Sequence, residues 1–246
     1  MLTPDRYAAA IVAEAAAFTD TIHGADLELR VPTCPEWTLR DLVHHLGRAY
    51  YWSGQIVATR ATEFVPFEEV VDGKMPPDGH AEWLRAGAAK LVDAVADIGP
   101  DNDVWTWSDD HRAVFWLRRI LHEGIVHRAD AAFTVVRDYT VPVDLAVDGV
   151  DEWLGILTSK AARARSGAVA GTGQTLHFHA TDGGEWLIRR DPDGPTLLNE
   201  HVKGDVTVRA PATDLLLVLY GRIPTSEVEV FGDPDLLTHW RDHTKF

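Results

Sequence analysis

The chain has 246 residues, of which 23 are Lys or Arg and 38 are Asp or Glu, so its formal net charge is −15 at pH 7. This length leaves room for one large domain or two modest ones with a buried core. The acidic balance disfavours binding to nucleic-acid phosphates or to anionic membrane surfaces. The single cysteine, Cys34, excludes an internal disulfide and a zinc site built from several cysteines.

We expect a soluble, cytoplasmic protein. The longest apolar stretch, residues 8–18, is interrupted by Glu14 and is shorter than the roughly 20 apolar residues that cross a bilayer. The opening residues make a poor signal peptide, because no uninterrupted apolar region follows them. The low cysteine content agrees with a reducing compartment.

The first two thirds of the chain are predicted to be helical. Thr3 followed by Pro4 is typical of an N-cap and first helical residue. Thr38 starts a second helix, in which Asp41 completes a capping box. Three further amphipathic helices are expected over about 83–95, 110–132 and 143–157.

The last third is predicted to form a separate domain. Residues 161–174 have no periodicity and are interpreted as a linker. Alternating residues at 175–180 and 186–188 flank an Asp-Gly-Gly turn, which predicts a hairpin. Two more strands are expected at 206–209 and 228–230, and two helices at 211–220 and 233–243. The predicted fold class is mainly α: an up-down helical bundle, residues 1–164, followed by a small α+β domain, residues 173–246.

The histidines of two predicted helices have spacings that suit metal binding. His122 and His127 are five residues apart, about 140° around the helix axis, and do not bind one ion from an unbroken helix. Glu123 and His127 are one turn apart on one face. On the second helix His45 shares the apolar face, whereas His44 lies on a more polar side. A set of two histidines and one carboxylate leaves coordination positions open, as in catalytic zinc sites, and also suits nickel, cobalt or iron(II).

Ordinary structural roles explain the same residues. An inward histidine is more often a hydrogen-bonded core residue than a ligand, and a Glu–His pair is more often a surface ion pair. Arg128 and Asp130 either orient a ligand imidazole or form an interhelical salt bridge. Cys34 is interpreted as a buried structural residue. His177 and His179 are interpreted as exposed polar residues on one strand face.

Two segments resemble the signatures of the mycothiol-dependent maleylpyruvate isomerase family, which is part of the DinB-like metal-dependent bundles. Residues 34–46, CPEWTLRDLVHHL, resemble C-P-x-W-[ST]-x-x-D-L-x-x-H-L. Residues 122–130, HEGIVHRAD, resemble H-E-x-x-x-H-R-x-D. Similar segments continue at 148–154, 179–184 and 212–222, so the resemblance covers nearly the whole chain. Ala129 departs from it, since the family often has Trp there, and this affects the expected shape of the pocket.

The resemblance implies a thiol-dependent metalloenzyme. His45, Glu123 and His127 would be the catalytic residues and would bind a divalent metal, most often zinc. Arg222 would bind the thiol cosubstrate mycothiol, the low-molecular-weight thiol of actinobacteria, although an arginine there also suits a helix C-terminus. The metal-activated thiolate would add to a small electrophile, giving S-transfer or cis–trans isomerisation. No nucleic acid or membrane partner is implied.

Two other functions are compatible with the same residues. A zinc hydrolase would use the open metal position for water instead of a thiol, and dependence of turnover on thiol separates the two. A non-catalytic protein that binds a small ligand would enhance no thiol reaction, whatever its metal content.

Overall fold

The computed structural model describes residues 1–160, 167–200 and 202–244. It divides into two compact units, which we call the bundle unit (Leu2–Tyr139) and the sheet unit (Thr140–Phe246, with Met1). The predicted fold class is confirmed, because the bundle unit is helical and the sheet unit combines helices with a β-sheet.

The boundary between the units lies earlier in the chain than the predicted linker. The helix that follows Pro142 belongs to the sheet unit, where the ring centroids of Trp153 and Tyr220 are 4.4 Å apart. Burial of this aromatic pair explains why the helix joins the later residues. The predicted boundary at residue 164 and part of the predicted linker, 161–166, lie outside the described residues.

Four α-helices form most of the bundle unit, and all four were predicted. They are α1 (Pro4–Thr21), α2 (Leu39–Ala58), α3 (His80–Ile98) and α4 (Val114–Thr134). Thr3 caps α1, and Thr38 and Asp41 form the predicted capping box at the start of α2. Trp83 of α3 packs against Gly47 of α2, where a Cβ atom would come within 2.0 Å of the ring.

Two features of the bundle unit differ from the prediction. α4 begins at Val114 and not near Asp110, because the preceding residues form a loop in which the Asp110 carboxylate binds Arg112 at 2.8 Å. An unpredicted antiparallel pair, β1 (Arg30–Val31) and β2 (Cys34–Thr38), leads directly into α2. β2 therefore fixes the direction in which α2 starts.

The sheet unit contains three α-helices and five strands among the described residues. They are α5 (Val143–Thr158), β3 (Thr175–Ala180), β4 (Glu185–Asp191), β5 (Gly194–Leu198), β6 (Val206–Ala210), α6 (Ala212–Leu219), β7 (Glu229–Gly232) and α7 (Pro234–His243). The sheet order is β5-β4-β3-β6-β7, with β3 and β6 parallel and the other neighbours antiparallel. The predicted hairpin, the two further strands and the last two helices are confirmed.

The turn between β3 and β4 sets the register of the hairpin. Gly183 and Gly184 have φ angles of 141° and 96°, in a region that favours glycine. This turn places His179 opposite Glu185 and His177 opposite Leu187. None of the helices in the described part of the chain is long and apolar enough to cross a membrane.

Candidate metal centre

α2 and α4 bring together the three residues that were predicted as metal ligands. Nε2 of His45 lies 2.7 Å from Oε1 of Glu123, and Nε2 of His127 lies 3.4 Å from the same oxygen. One ligand atom from each residue lies within 4.8 Å of the other two. The three side chains are neighbours although 78 residues separate His45 from Glu123 along the chain.

The antiparallel packing of α2 and α4 produces this arrangement. Trp52 follows His45 by two helical turns, and Trp116 precedes Glu123 by two turns. The rings of Trp52 and Trp116 contact each other with centroids 5.0 Å apart. Because Glu123 and His127 share the stripe of the buried residue Trp116, both side chains face α2.

A buried carboxylate lies behind His127. Asp130 is fully buried, and its Oδ2 is 2.8 Å from Nδ1 of His127. Thr33 donates a hydrogen bond to the other oxygen of Asp130, and Sγ of Cys34 lies 3.9 Å from Oδ2. Cys34 is half-buried, not buried as predicted. Asp130 therefore holds the His127 ring with Nε2 directed towards Glu123, which is the orienting role considered for it.

Arg128 has the other predicted role. Its guanidinium pairs with the carboxylate of Glu14 on α1, and Nη2 donates to Oε2 at 3.2 Å. Its Cζ also lies 4.6 Å from the ring centroid of Tyr139. Burial raises the pKa of Glu14 above its ordinary value, an effect that Arg128 opposes. Arg128 thus forms an interhelical salt bridge, whereas Asp130 supports a candidate ligand.

Arg119 is one of the residues that favour the anionic form of Glu123. It lies one turn before Glu123 on α4, is almost fully buried, and donates from Nη2 to Oε2 at 3.1 Å. Burial would raise the pKa of Glu123, but the hydrogen bonds to His127 and His45 and the charge of Arg119 hold it well below its ordinary value. Arg119 was not predicted, although its spacing of four residues from Glu123 is a signal for such a pair.

The environment of His127 favours a proton in the metal-free protein. Burial would lower the pKa of His127, but the hydrogen bonds to Asp130 and Glu123 outweigh it and raise the pKa to about 9. A metal ion bound at Nε2 must displace this proton.

The cluster is open on one side. The side chains of His45 and Glu123 are 28% and 24% exposed, whereas that of His127 is 9% exposed. The indole of Trp37 on β2 lies 4.8 Å from the His45 ring and 5.9 Å from the His127 ring. Trp37 is half-buried and covers part of the cluster.

The donor set fits a divalent cation of the zinc class. Two imidazole nitrogens and one carboxylate are common zinc ligands, and the Asp130–His127 hydrogen bond is the usual support of a ligand histidine. His44, whose ring stacks on Trp83, and the fully buried His122 are not members of the cluster.

Arg222 lies in the sheet unit, directly after α6. Its Nη1 donates to the carbonyl oxygen of Tyr220, the C-cap residue of α6, at 2.8 Å. This contact agrees with a role at the helix end. Binding of mycothiol by Arg222 stays a prediction.

Comparison with known proteins identifies the family. Residues 8–132 match the model of the mycothiol maleylpyruvate isomerase N-terminal domain, and residues 144–239 match that of the MDMPI C-terminal domain. Two crystal structures, of the mycothiol-dependent maleylpyruvate isomerase and of a histidine-to-alanine mutant of it, are similar to the chain. Their identities are 15% and 14%; each match covers 93% of both chains with a TM-score of 0.63, which shows a shared fold. No curated sequence matches. The chain belongs to the mycothiol maleylpyruvate isomerase family.

Proposed function

We propose that the protein is a mycothiol-dependent enzyme whose His45, Glu123 and His127 bind a divalent cation, zinc in the first instance. Its reaction is addition of the thiol to a small electrophile, which leads to cis–trans isomerisation or to S-transfer. The observation that carries the proposal is the convergence of two imidazole Nε2 atoms on one carboxylate oxygen. Family membership supports the choice of thiol.

The open side of the cluster provides room for the thiol. Three protein ligands leave coordination positions for an exogenous group, and His45 and Glu123 are partly exposed. A divalent cation held there would lower the pKa of the mycothiol thiol, so that thiolate is present at neutral pH.

The isomerisation needs no reactant besides the substrate and the thiol, and the thiol is regenerated. The thiolate sulfur forms a bond to one carbon of a conjugated cis double bond, and the π-electron pair moves to the adjacent carbonyl as an enolate. The former double bond is then a single bond and rotates. When the enolate pair returns, the double bond re-forms in the trans geometry, the C–S bond breaks and the thiolate leaves. In S-transfer the C–S bond persists, and either a leaving group departs with its electron pair or the enolate carbon takes up a proton.

Three residues of the chain position the side chains of the proposed ligands. Asp130 fixes the ring of His127, and Arg119 binds Oε2 of Glu123 and leaves Oε1 directed at the two histidines. Trp37 lies against the rings of His45 and His127 and covers part of them. The supporting residues thus restrict the ligand side chains to one geometry before any ligand arrives.

Adjacent histidines allow a matched test of the metal centre. His45→Ala removes a proposed ligand, whereas His44→Ala removes the neighbouring imidazole outside the cluster. We expect His45→Ala and Glu123→Gln each to contain about one equivalent of zinc less than His44→Ala. Both should also lose the mycothiol-dependent turnover that His44→Ala keeps. Elemental analysis and the rate of maleylpyruvate isomerisation are the measurements. Metal content and activity equal in His44→Ala and His45→Ala would refute the proposal.

The reaction type is settled by the fate of the thiol. A rate that rises with mycothiol while free thiol stays constant indicates isomerisation, and a stable sulfur conjugate detected by mass spectrometry indicates S-transfer. Turnover that is independent of mycothiol would instead favour the hydrolase.

A further inference from the structure

A second group of metal-binding residue types lies in the sheet unit. His177 and His179 of β3 and Glu185 of β4 each place one ligand atom within 4.8 Å of the other two. The two histidines were interpreted from sequence as exposed strand residues. His177 is in fact buried, with 8% of its surface exposed.

Strand geometry puts the three side chains on one face of the hairpin. His177 and His179 are two residues apart on β3, so both project from the same side. Glu185 lies directly opposite His179 and is therefore diagonal to His177. The diagonal contact is short, with Nε2 of His177 2.6 Å from Oε1 of Glu185. The ring centroids of the two histidines are 6.0 Å apart.

The backbone beneath this group is fixed by the sheet. β3 is the central strand, paired to β4 on one side and to β6 on the other. Phe178 and Trp186, which alternate with these residues on the opposite face, are buried. Gly204 lies against His177, because a Cβ atom there would be 3.0 Å from both N and Cβ of His177. The geometry is thus set by the core of the unit and not by a surface loop.

We propose that His177, His179 and Glu185 form a second divalent-cation site. Two imidazoles select zinc, cobalt or nickel over magnesium and calcium, which prefer all-oxygen ligands. Since the ligands come from β3 and β4, a bound cation links the two strands and stabilises the sheet unit by mass action. The site uses none of the residues of the bundle unit, so it can be tested independently of the proposed enzyme function.

Substitution of His179 distinguishes a metal site from a pair of residues joined only by a hydrogen bond. The hydrogen bond between His177 and Glu185 exists without a cation and does not involve His179. His179→Ala therefore keeps that hydrogen bond and removes one metal ligand. A purely structural pair predicts no effect of this substitution on zinc binding.

The experiment is zinc loading of the full chain by equilibrium dialysis, followed by elemental analysis. We expect about two equivalents in the unaltered protein, about one in His179→Ala, about one in Glu123→Gln and none in the double variant. His111→Ala, which removes an exposed histidine outside both clusters, should load like the unaltered protein. Glu185→Gln, a change at a partly exposed side chain, provides a second variant if His179→Ala does not fold.

Thermal unfolding with and without zinc provides the second readout. Zinc should raise the Tm of Glu123→Gln but not that of the Glu123→Gln/His179→Ala double variant. Equal zinc content in the unaltered protein and in both hairpin variants would overturn the second site. If Glu123→Gln instead loaded as much zinc as the unaltered protein while His179→Ala lost one equivalent, only the proposed function would be overturned.

Discussion

The two units each present two histidines and one glutamate, on different scaffolds. In the bundle unit His45 and Glu123 come from separate helices and are 78 residues apart along the chain. In the sheet unit His177, His179 and Glu185 lie within a single hairpin. The first cluster forms only when α2 and α4 have packed, whereas the second needs only the register of two adjacent strands. A metal bound at the first cluster would therefore report on tertiary packing, and one bound at the second would report on strand pairing.

The support behind the ligands also differs. In the bundle unit charged side chains hold the proposed ligands, with Asp130 behind His127 and Arg119 beside Glu123. In the hairpin the sheet backbone sets the positions of the side chains. Oriented, charge-supported ligands on an open cluster suit a reactive centre. A cation that joins two strands is better suited to stabilising the fold.

The largest expected effect is the difference in activity between variants of Glu123 and Glu185. Glu123→Gln should lower mycothiol-dependent kcat/KM by more than about 100-fold, because it removes a proposed ligand itself. Changes to a residue that only supports a ligand cost at most roughly 100-fold. Glu185→Gln makes the same chemical change in the hairpin and should leave kcat/KM unchanged. Steady-state kinetics on both variants test this. Equal losses in the two would contradict the assignment of catalysis to the bundle unit.

The next effect concerns the carboxylate behind His127. Asp130→Asn should weaken zinc binding about 10–100-fold while keeping the fold, since it removes the charge that orients the ligand ring. Activity should return when zinc is added in excess. Competition with a chelator measures the affinity.

Arg128→Lys is the matched control for Asp130→Asn. It alters the neighbouring salt bridge to Glu14 and should lower the Tm without changing zinc affinity. Asp130 would be a structural residue if its variant lost stability and kept full zinc affinity.

A smaller effect is expected at Arg222. If it binds mycothiol, Arg222→Ala should raise the KM for mycothiol roughly tenfold, the cost of one charge-assisted hydrogen bond, with kcat and zinc content unchanged. Arg241 donates to the carbonyls of Val218 and Ile223 and serves as a structural comparison. Arg241→Lys should change stability and not KM. If both variants affected only the Tm, the helix-end role would be sufficient for Arg222.

The cluster of the bundle unit could be predicted because helical periodicity is regular. Four-residue spacing fixes Glu123 and His127 on one face, and the apolar stripe of α2 selects His45 over His44. The division of roles between Arg128 and Asp130 could not be predicted. It depends on which neighbour each residue meets, and only the packed helices determine that.

The contacts of the hairpin could not be predicted for a different reason. Alternation identifies β3 and β4, but the pairing of His179 with Glu185 depends on the turn, and a shift of one residue would move Glu185 to the other face. β5 was missed because Gly194 and Pro195 at its start are typical of loops. Proline is tolerated there because β5 is an edge strand.

The last expected effect is a pH dependence of the Tm that His127 of the bundle unit causes. In the metal-free protein, burial would lower the pKa of His127, but the hydrogen bonds to Asp130 and Glu123 raise it to about 9, above its ordinary value of 6.5. A base whose pKa rises on folding contributes stability that is complete below its unfolded pKa and disappears as the pH passes its folded pKa. The Tm of the metal-free protein should therefore fall as the pH rises from 6.5 to 9, and His127→Gln should flatten this slope. A slope that persists in His127→Gln would assign the titration to other groups and weaken the contrast between the two clusters.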